Sequence, residues 1–390
     1  WLVGTPMRRV LTPILAVIAA APVARAQAPV IRMNGRAQVQ YRASWGGASP
    51  SYNTAAVNNG FEIRRLRIQA DVQLDENIFL VIQPSLEMAS LRMRDAYVRV
   101  SLSPAVGVTL GQEKAPFYRY EFNSSNNLPS IERGLRMYGL AGREGLNDLV
   151  VNNGYAAQDL GAFVDLSAWE KRLFFKVGVV NGSRESSLDV NNAKSFFGRV
   201  ALTARVNGAG QSALQFGASV AARDRAVCAV CAGTVTYFPD SSKMTTALGL
   251  DLEIGGHRPG FHLIADAVQG DNVPLATRVN SGRNTGNLPN TADSNVVTFR
   301  GVSLIGAYRL VTAGSARRVI RMVEPALRLD WADPNSSAPN DAGVLVTPAA
   351  SLYFGPTTIL RVGLDLYRYG SLPGLAHVAR EFKVSWQANF

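Results

Sequence analysis

Apolar and polar residues take turns along this chain, in stretches close to the 9–11 residues that a tilted strand needs to cross a membrane. In one stretch Ile31, Met33, Ala37, Val39 and Tyr41 alternate with Arg32, Asn34, Arg36, Gln38, Gln40 and Arg42. In the next, Leu66, Ile68, Ala70, Val72 and Leu74 alternate with Arg65, Arg67, Gln69, Asp71 and Gln73. Ala96, Val98, Val100 and Leu102 alternate in the same way with Asp95, Tyr97, Arg99 and Ser101. Leu248–Ile254 and Leu360–Leu366 repeat the pattern. A strand sends successive side chains to opposite faces, so each stretch has one apolar face and one wet face. Strands of soluble sandwiches alternate too, but usually run to only about five or six residues.

Segmentation on this period starts strands near residues 30, 61, 78, 94, 105, 158, 172, 196, 212, 245, 259, 297, 316, 343, 357 and 376. That makes about sixteen, an even number, as single-chain bacterial barrels have. Short links near 75–77, 103–104, 169–171, 207–211, 255–258, 312–315 and 355–356 alternate with longer ones near 43–60, 115–157, 182–195, 224–244, 270–296 and 333–342. Links 89–93 and 370–375 are short where the pattern asks for long. The expected fold is therefore all-β: a transmembrane antiparallel up-and-down β-barrel. It must close, because an open sheet edge in lipid leaves backbone groups unpaired at several kcal/mol each. Trp45, Trp169, Trp331, Tyr353, Phe354 and Trp386 fall near strand ends, where aromatic girdles sit.

Both ends of the chain agree with a barrel exported to an outer membrane. Glu381–Phe390 (EFKVSWQANF) alternates to its last residue, and this ending resembles the C-terminal signal of bacterial outer-membrane proteins. Near the other end, Met7-Arg8-Arg9 precedes the apolar run Val10–Ala21 and Ala24-Arg25-Ala26 follows it. A basic start, a short apolar core and a small-x-small site read as a signal peptide over 1–26, which leaves 27–390 for the barrel. With 47% hydrophobic residues and a mean hydropathy of +0.03 there is no surplus for stacked transmembrane helices. Loss of Arg8, Arg9 and Arg25 would leave a net charge of +8 from the formal +11. Export turns that basic balance away from nucleic acid and toward anionic solutes or outer-membrane lipid.

The wet faces carry the candidate chemistry. Arg32, Arg36, Arg65, Arg67 and Arg99 lie on them, where lipid exposure would cost roughly 2–4 kcal/mol near the midplane. Cationic rings in a pore raise the local anion concentration and donate to phosphate-like oxygens. The alternative is that these arginines pair with acids such as Asp71, Asp95 and Glu113. The segment 115–157 carries Arg119, Arg133, Arg136 and Arg143 beside Tyr118, Tyr120 and Phe122. Folded inward it would narrow a pore, and folded outward it would serve as a surface or contact loop. Cys228 and Cys231, in AVCAVCAG, fit a local disulfide in an exported loop better than a redox pair or half a zinc site.

Four blocks resemble the phosphate-selective porin O and P family: Phe61–Arg67 (FEIRRLR), Arg94–Val98 (RDAYV), Gly111–Phe117 (GQEKAPF) and Leu128–Arg133 (LPSIER). The resemblance implies a sixteen-stranded homotrimeric outer-membrane channel for small anions such as phosphate, with no cofactor and an inward-folded third loop. It also implies that Arg64, Arg65 and Asp95 sit near a constriction, with Lys114 at the entry to the loop. Strict alternation sends Arg64 to lipid, so a bulge or an interfacial position is required there. The rival classes are a barrel lipase or protease and a closed structural or adhesive barrel. An enzyme would need a nucleophile and base, and no H-E-x-x-H, G-x-S-x-G or P-loop pattern occurs.

Overall fold

The computed structural model describes residues 28–45, 59–87, 90–133, 145–183, 185, 189, 192–206, 212–228, 237–255, 259–272, 296–312, 319–370 and 378–390. The proposed signal segment 1–26 lies outside them. Among the described residues sixteen strands form one closed barrel in which each strand pairs with its neighbours in sequence. They are β1 (Val30–Trp45), β2 (Asn59–Asp75), β3 (Ile78–Glu87), β4 (Ser90–Ser103), β5 (Val106–Lys114), β6 (Gln158–Ala168), β7 (Leu173–Val180) and β8 (Ser195–Val206). The ring continues with β9 (Ser212–Cys228), β10 (Tyr237–Ile254), β11 (Gly260–Asn272), β12 (Val297–Val311), β13 (Met322–Asp333), β14 (Gly343–Tyr353), β15 (Thr358–Tyr369) and β16 (Val378–Asn389). Every pairing is antiparallel, including β1 with β16.

Three boundaries differ from the sequence reading. β4 begins at Ser90 rather than near 94, because Ser90–Met93 of the expected link 89–93 pair with Pro84–Glu87 of β3. β10 begins at Tyr237 rather than near 245, because β9 and β10 continue as a hairpin past the apolar alternation that marked the membrane band. β13 begins at Met322 rather than near 316. Just before it, the Thr312 N–H donates to the Arg321 carbonyl at 3.1 Å and the Arg321 N–H to the Tyr353 carbonyl at 2.8 Å, which carries the β12–β13 and β13–β14 pairings one residue beyond the strand.

The outer face is apolar and open: Leu248 and Leu250 are 64% and 66% exposed. A water-facing surface of that kind is rare, whereas lipid requires it. The seam between β1 and β16 is closed by the last residue. The Gly35 N–H donates to the Phe390 carbonyl at 2.7 Å, and the Phe390 N–H returns a bond to the Gly35 carbonyl at 3.0 Å. A Cβ on Gly35 would fall 2.4 Å from Cζ of the Phe390 ring and 2.7 Å from the Arg67 carbonyl oxygen, so a larger residue there would have to shift the terminal ring and the β2 backbone.

The buried apolar core lies inside the barrel. Phe117, Tyr118, Tyr120, Leu128, Leu146, Leu149, Val150 and Tyr155, all from the segment that follows β5, cluster with Phe163, Phe197, Ile264, Val268, Phe299 and Ile305 of the strands. Two short helices, α1 (Arg119–Phe122) and α2 (Leu146–Asn152), shape the segment. Each large apolar side chain so buried contributes about 1.5–3 kcal/mol. The described parts of 115–157 are therefore part of the packed structure, not a loose flap.

Candidate functional site

Strands β1–β4 hold the densest set of inward charges, and regular alternation alone does not account for it. Along β1 and β2 the register passes from Gln38 opposite Arg65 to Val39 opposite Ile63, which leaves Arg64 as an extra residue. Along β3 and β4 it passes from Gln83 opposite Asp95 to Pro84 opposite Met93, which leaves Arg94 extra. A bulge of this kind re-aims one side chain and lets two adjacent residues share a face. Arg64 and Arg65 are accordingly both buried, at 1% and 2% exposure. Of the two positions open to Arg64, the bulge is the one it takes.

Each re-aimed arginine meets an acid. Nη2 of Arg64 donates to Oε2 of Glu132 at 2.9 Å, and Nη2 of Arg65 donates to the same oxygen at 3.0 Å. Nη1 of Arg65 donates to Oε1 of Gln38 at 2.9 Å. Arg94 and Arg92 each donate to one oxygen of Glu185, at 2.6 and 2.7 Å. The β4 bulge also releases backbone carbonyls toward the outer face. Nε2 of Gln112 donates to the carbonyls of Met93 and Arg94, at 2.5 and 2.8 Å. Gln112 stands opposite Ala96 and Leu160 on outer-face positions, where an unmet carbonyl would face lipid. Gly111 beside it has φ +131°, and a Cβ there would lie 2.4 Å from the Ala96 carbonyl oxygen.

The remaining sequence-selected residues divide by position. Arg67 donates from Nε to Glu87 Oε1 at 3.0 Å. Lys114 donates from Nζ to the Glu121 carbonyl at 2.8 Å, with Arg133, Arg94 and Arg67 among the charges that act on it. Arg133 pairs with Glu121 at 3.0 Å and donates to the carbonyls of Tyr120 and Asn123. Asp95 accepts from Gln158 Nε2 at 3.4 Å. Arg36 is buried, with no hydrogen bond or ion pair among the described residues; the cations acting on it are Arg67, Arg65 and Arg133, and Glu87 opposes them. These residues form one cluster. Three others stand apart from it. Arg32 is exposed near the start of β1, opposite Asp71. Arg99 donates to Asp165 at 2.7 Å, beside a cavity of about 500 Å³ also lined by Asn77, Ser101, Lys171 and Lys176. Arg119 donates to Glu253 at 3.0 Å on the far wall. Glu113, expected as an arginine partner, pairs instead with Lys176 at 2.7 Å. β9 ends at Cys228, but the proposed bond to Cys231 lies outside the described residues.

The far wall is acidic. Asp251 and Asp266 stand directly opposite each other on β10 and β11. Asp251 accepts from Arg199 at 2.8 Å. Asp330 accepts from Ser303 at 2.6 Å and pairs with Arg328. Burial, with Asp266 and Asp330 nearby, pushes the Tyr118 phenol well up, and burial pushes Tyr120 up to about 12. Both phenols therefore stay neutral donors. The Tyr120 hydroxyl lies 2.9 Å from that of Ser130, and Arg328 stacks 5.0 Å from the Tyr120 ring centre.

Sequence reasoning missed Arg94, Arg328, Arg361 and Glu132 as site residues. Arg361 donates to Gln387 at 2.8 Å and to the Asn126 carbonyl at 2.9 Å, and Arg328 donates to the Glu132 carbonyl at 3.0 Å. For Arg94 the signal was present: two adjacent polar residues inside a strand, as at Arg64–Arg65. Glu132 lies outside the strands and has no periodicity to mark it.

The family model described as phosphate-selective porin O and P matches residues 33–229. No curated protein matches the sequence. Among solved structures, the chain is similar in fold to an anion-selective porin from Comamonas acidovorans, with TM-score 0.58 and 11% identity over 93% of this chain and 100% of that one. The outer-membrane channel DcaP of Acinetobacter baumannii gives TM-score 0.57 and 13% identity over 93% and 97% of the two chains. OmpF of Salmonella typhi gives 0.54 and 10% over 92% and 97%.

Proposed function

This chain belongs to the phosphate-selective porin O and P family and forms a channel of the bacterial outer membrane, and we propose that it prefers small anions such as phosphate. The observation that carries this reading is Arg36: a buried guanidinium with no carboxylate of its own, facing further arginines beside the segment 115–157. A cation left unneutralised inside a wet lumen holds anions and repels cations. Arg64, Arg65, Arg67, Arg94, Lys114 and Arg133 add to the same local field, partly offset by Glu132, Glu87 and Glu121. In this reading Asp95 helps orient the cluster, Arg119 braces the segment against the far wall, and Arg32 and Arg99 guide anions at the periplasmic end. The described parts of the segment, 115–133 and 145–157, narrow the path, and the barrels assemble as a trimer.

The test is planar-bilayer recording of the purified protein across a potassium chloride gradient. The reading expects a zero-current potential of anion-selective sign, and a chloride conductance that falls as phosphate is added. A cation-selective potential would sink it.

A further inference from the structure

On the outside of the barrel, two arginines stand where the apolar face gives way to the long-loop end. Arg368 lies opposite Val344 and Val378, while Arg380 lies opposite Leu366 and Trp45. They are therefore diagonal neighbours on adjacent strands, a spacing of about 7–8 Å. Both are exposed, and neither has a hydrogen bond or ion pair among the described residues. The nearest acids in sequence, Asp365 and Glu381, point inward and hold Lys383 between them, at 2.5 and 2.8 Å. The loop sequences at 46–58 and 371–377 contain no Asp or Glu.

The surroundings limit what could neutralise the pair. Trp45, Val344 and Val378 are 43–45% exposed around the two guanidiniums, with Leu366 and Phe382 on the membrane side of them. Uncompensated cations at that depth call for an anion from outside the chain, and the apolar rim calls for one attached to an acyl chain. Guanidinium forks match phosphate oxygens two at a time. We propose that Arg368 and Arg380 form a binding site for the phosphate headgroup of an outer-leaflet lipid, whose acyl chains run down past Leu366 and Phe382. The site is separate from the lumen and does not depend on what the channel conducts.

The test uses the full barrel in zwitterionic detergent micelles, with native mass spectrometry as the readout. The probes are diphosphorylated lipid A and the same lipid after phosphatase treatment. The wild type is expected to retain the phosphorylated probe at least about tenfold better than the dephosphorylated one. Arg368→Ala/Arg380→Ala is expected to lose that preference while its single-channel conductance stays unchanged. Arg368→Lys/Arg380→Lys keeps the charge and should keep part of the preference. Equal retention of the two probes by the wild type would overturn the proposal. So would a double alanine variant that binds as the wild type does, or one that keeps lipid binding but falls apart as an oligomer.

Discussion

Strands β1–β4 and β10–β13 face each other across the ring, are built on the same alternating pattern, and differ in sign. The first wall turns Arg36, Arg64, Arg65, Arg67, Arg92 and Arg94 inward against Glu62, Glu87 and Asp95. The second turns Asp251, Glu253, Asp266, Glu324 and Asp330 inward against Arg309 and Arg328. The difference arises in the backbone as well as in composition. Two bulges place adjacent residues on one face of the first wall, whereas β10–β11 and β11–β12 run without a register shift. The segment between the walls is tied to each by the opposite charge. Its Glu132 holds Arg64 and Arg65, and its Arg119 holds Glu253. A bulged strand can thus concentrate charge locally, while a regular one spaces it every second residue.

The strongest way to break this arrangement is at Glu132. Glu132→Ala leaves two buried guanidiniums without their carboxylate, which should cost about 3–5 kcal/mol. The loss should appear as a lower denaturant midpoint in detergent; an unchanged midpoint would mean that the segment is held by its apolar contacts alone. Next comes the bulge itself. Gln112→Leu leaves the carbonyls of Met93 and Arg94 unmet and should cost about 1–3 kcal/mol. If the bulge relaxes, Arg94 leaves the lumen, so the zero-current potential should also move toward zero. A stability loss with no shift in potential would separate the bulge from the charge pattern.

The far wall makes the converse test. Glu253→Gln removes an acid and releases Arg119, so anion preference should rise. One unit charge a few ångströms away in water is worth about 1 kcal/mol, or up to about fivefold in the permeability ratio. A fall in anion preference would show that the two walls do not act with opposite sign. The smallest effect belongs to the loop between β13 and β14. Burial and the neighbouring Asp333 raise the Asp341 carboxyl to about 6. The folded loop then binds a proton that the unfolded chain releases nearer 3.8. Its contribution is full below about pH 4 and fades as pH rises through 6. Amide exchange across 334–342 should be slower at pH 5 than at pH 7.5 after correction for the intrinsic rate, and Asp341→Asn should remove the difference.

The barrel itself was legible because lipid enforces a two-residue period on every strand, from Ile31 to Phe382. The cluster was legible only in part. Arg36, Arg65 and Arg67 follow the period, and Arg64 announced itself by violating it. Arg94 violated it equally beside Asp95, but its neighbours Met93 and Ala96 blurred the phase. Partners contributed by the segment, such as Glu132 to Arg64 and Asn126 to Arg361, come from tertiary packing across the lumen. No local periodicity encodes such contacts. Gln112 reads from the sequence as an ordinary polar residue, and only the bulge opposite gives it a task.

The central claim is that the β1–β4 wall makes the channel prefer anions, and Arg36 tests it most directly, because no described residue pairs with it. The measurement is the zero-current potential of Arg36→Ala against wild type across the same potassium chloride gradient. The expected result is a drop of up to about fivefold in the anion-to-cation permeability ratio. Superimposable potentials for the two proteins would contradict the account.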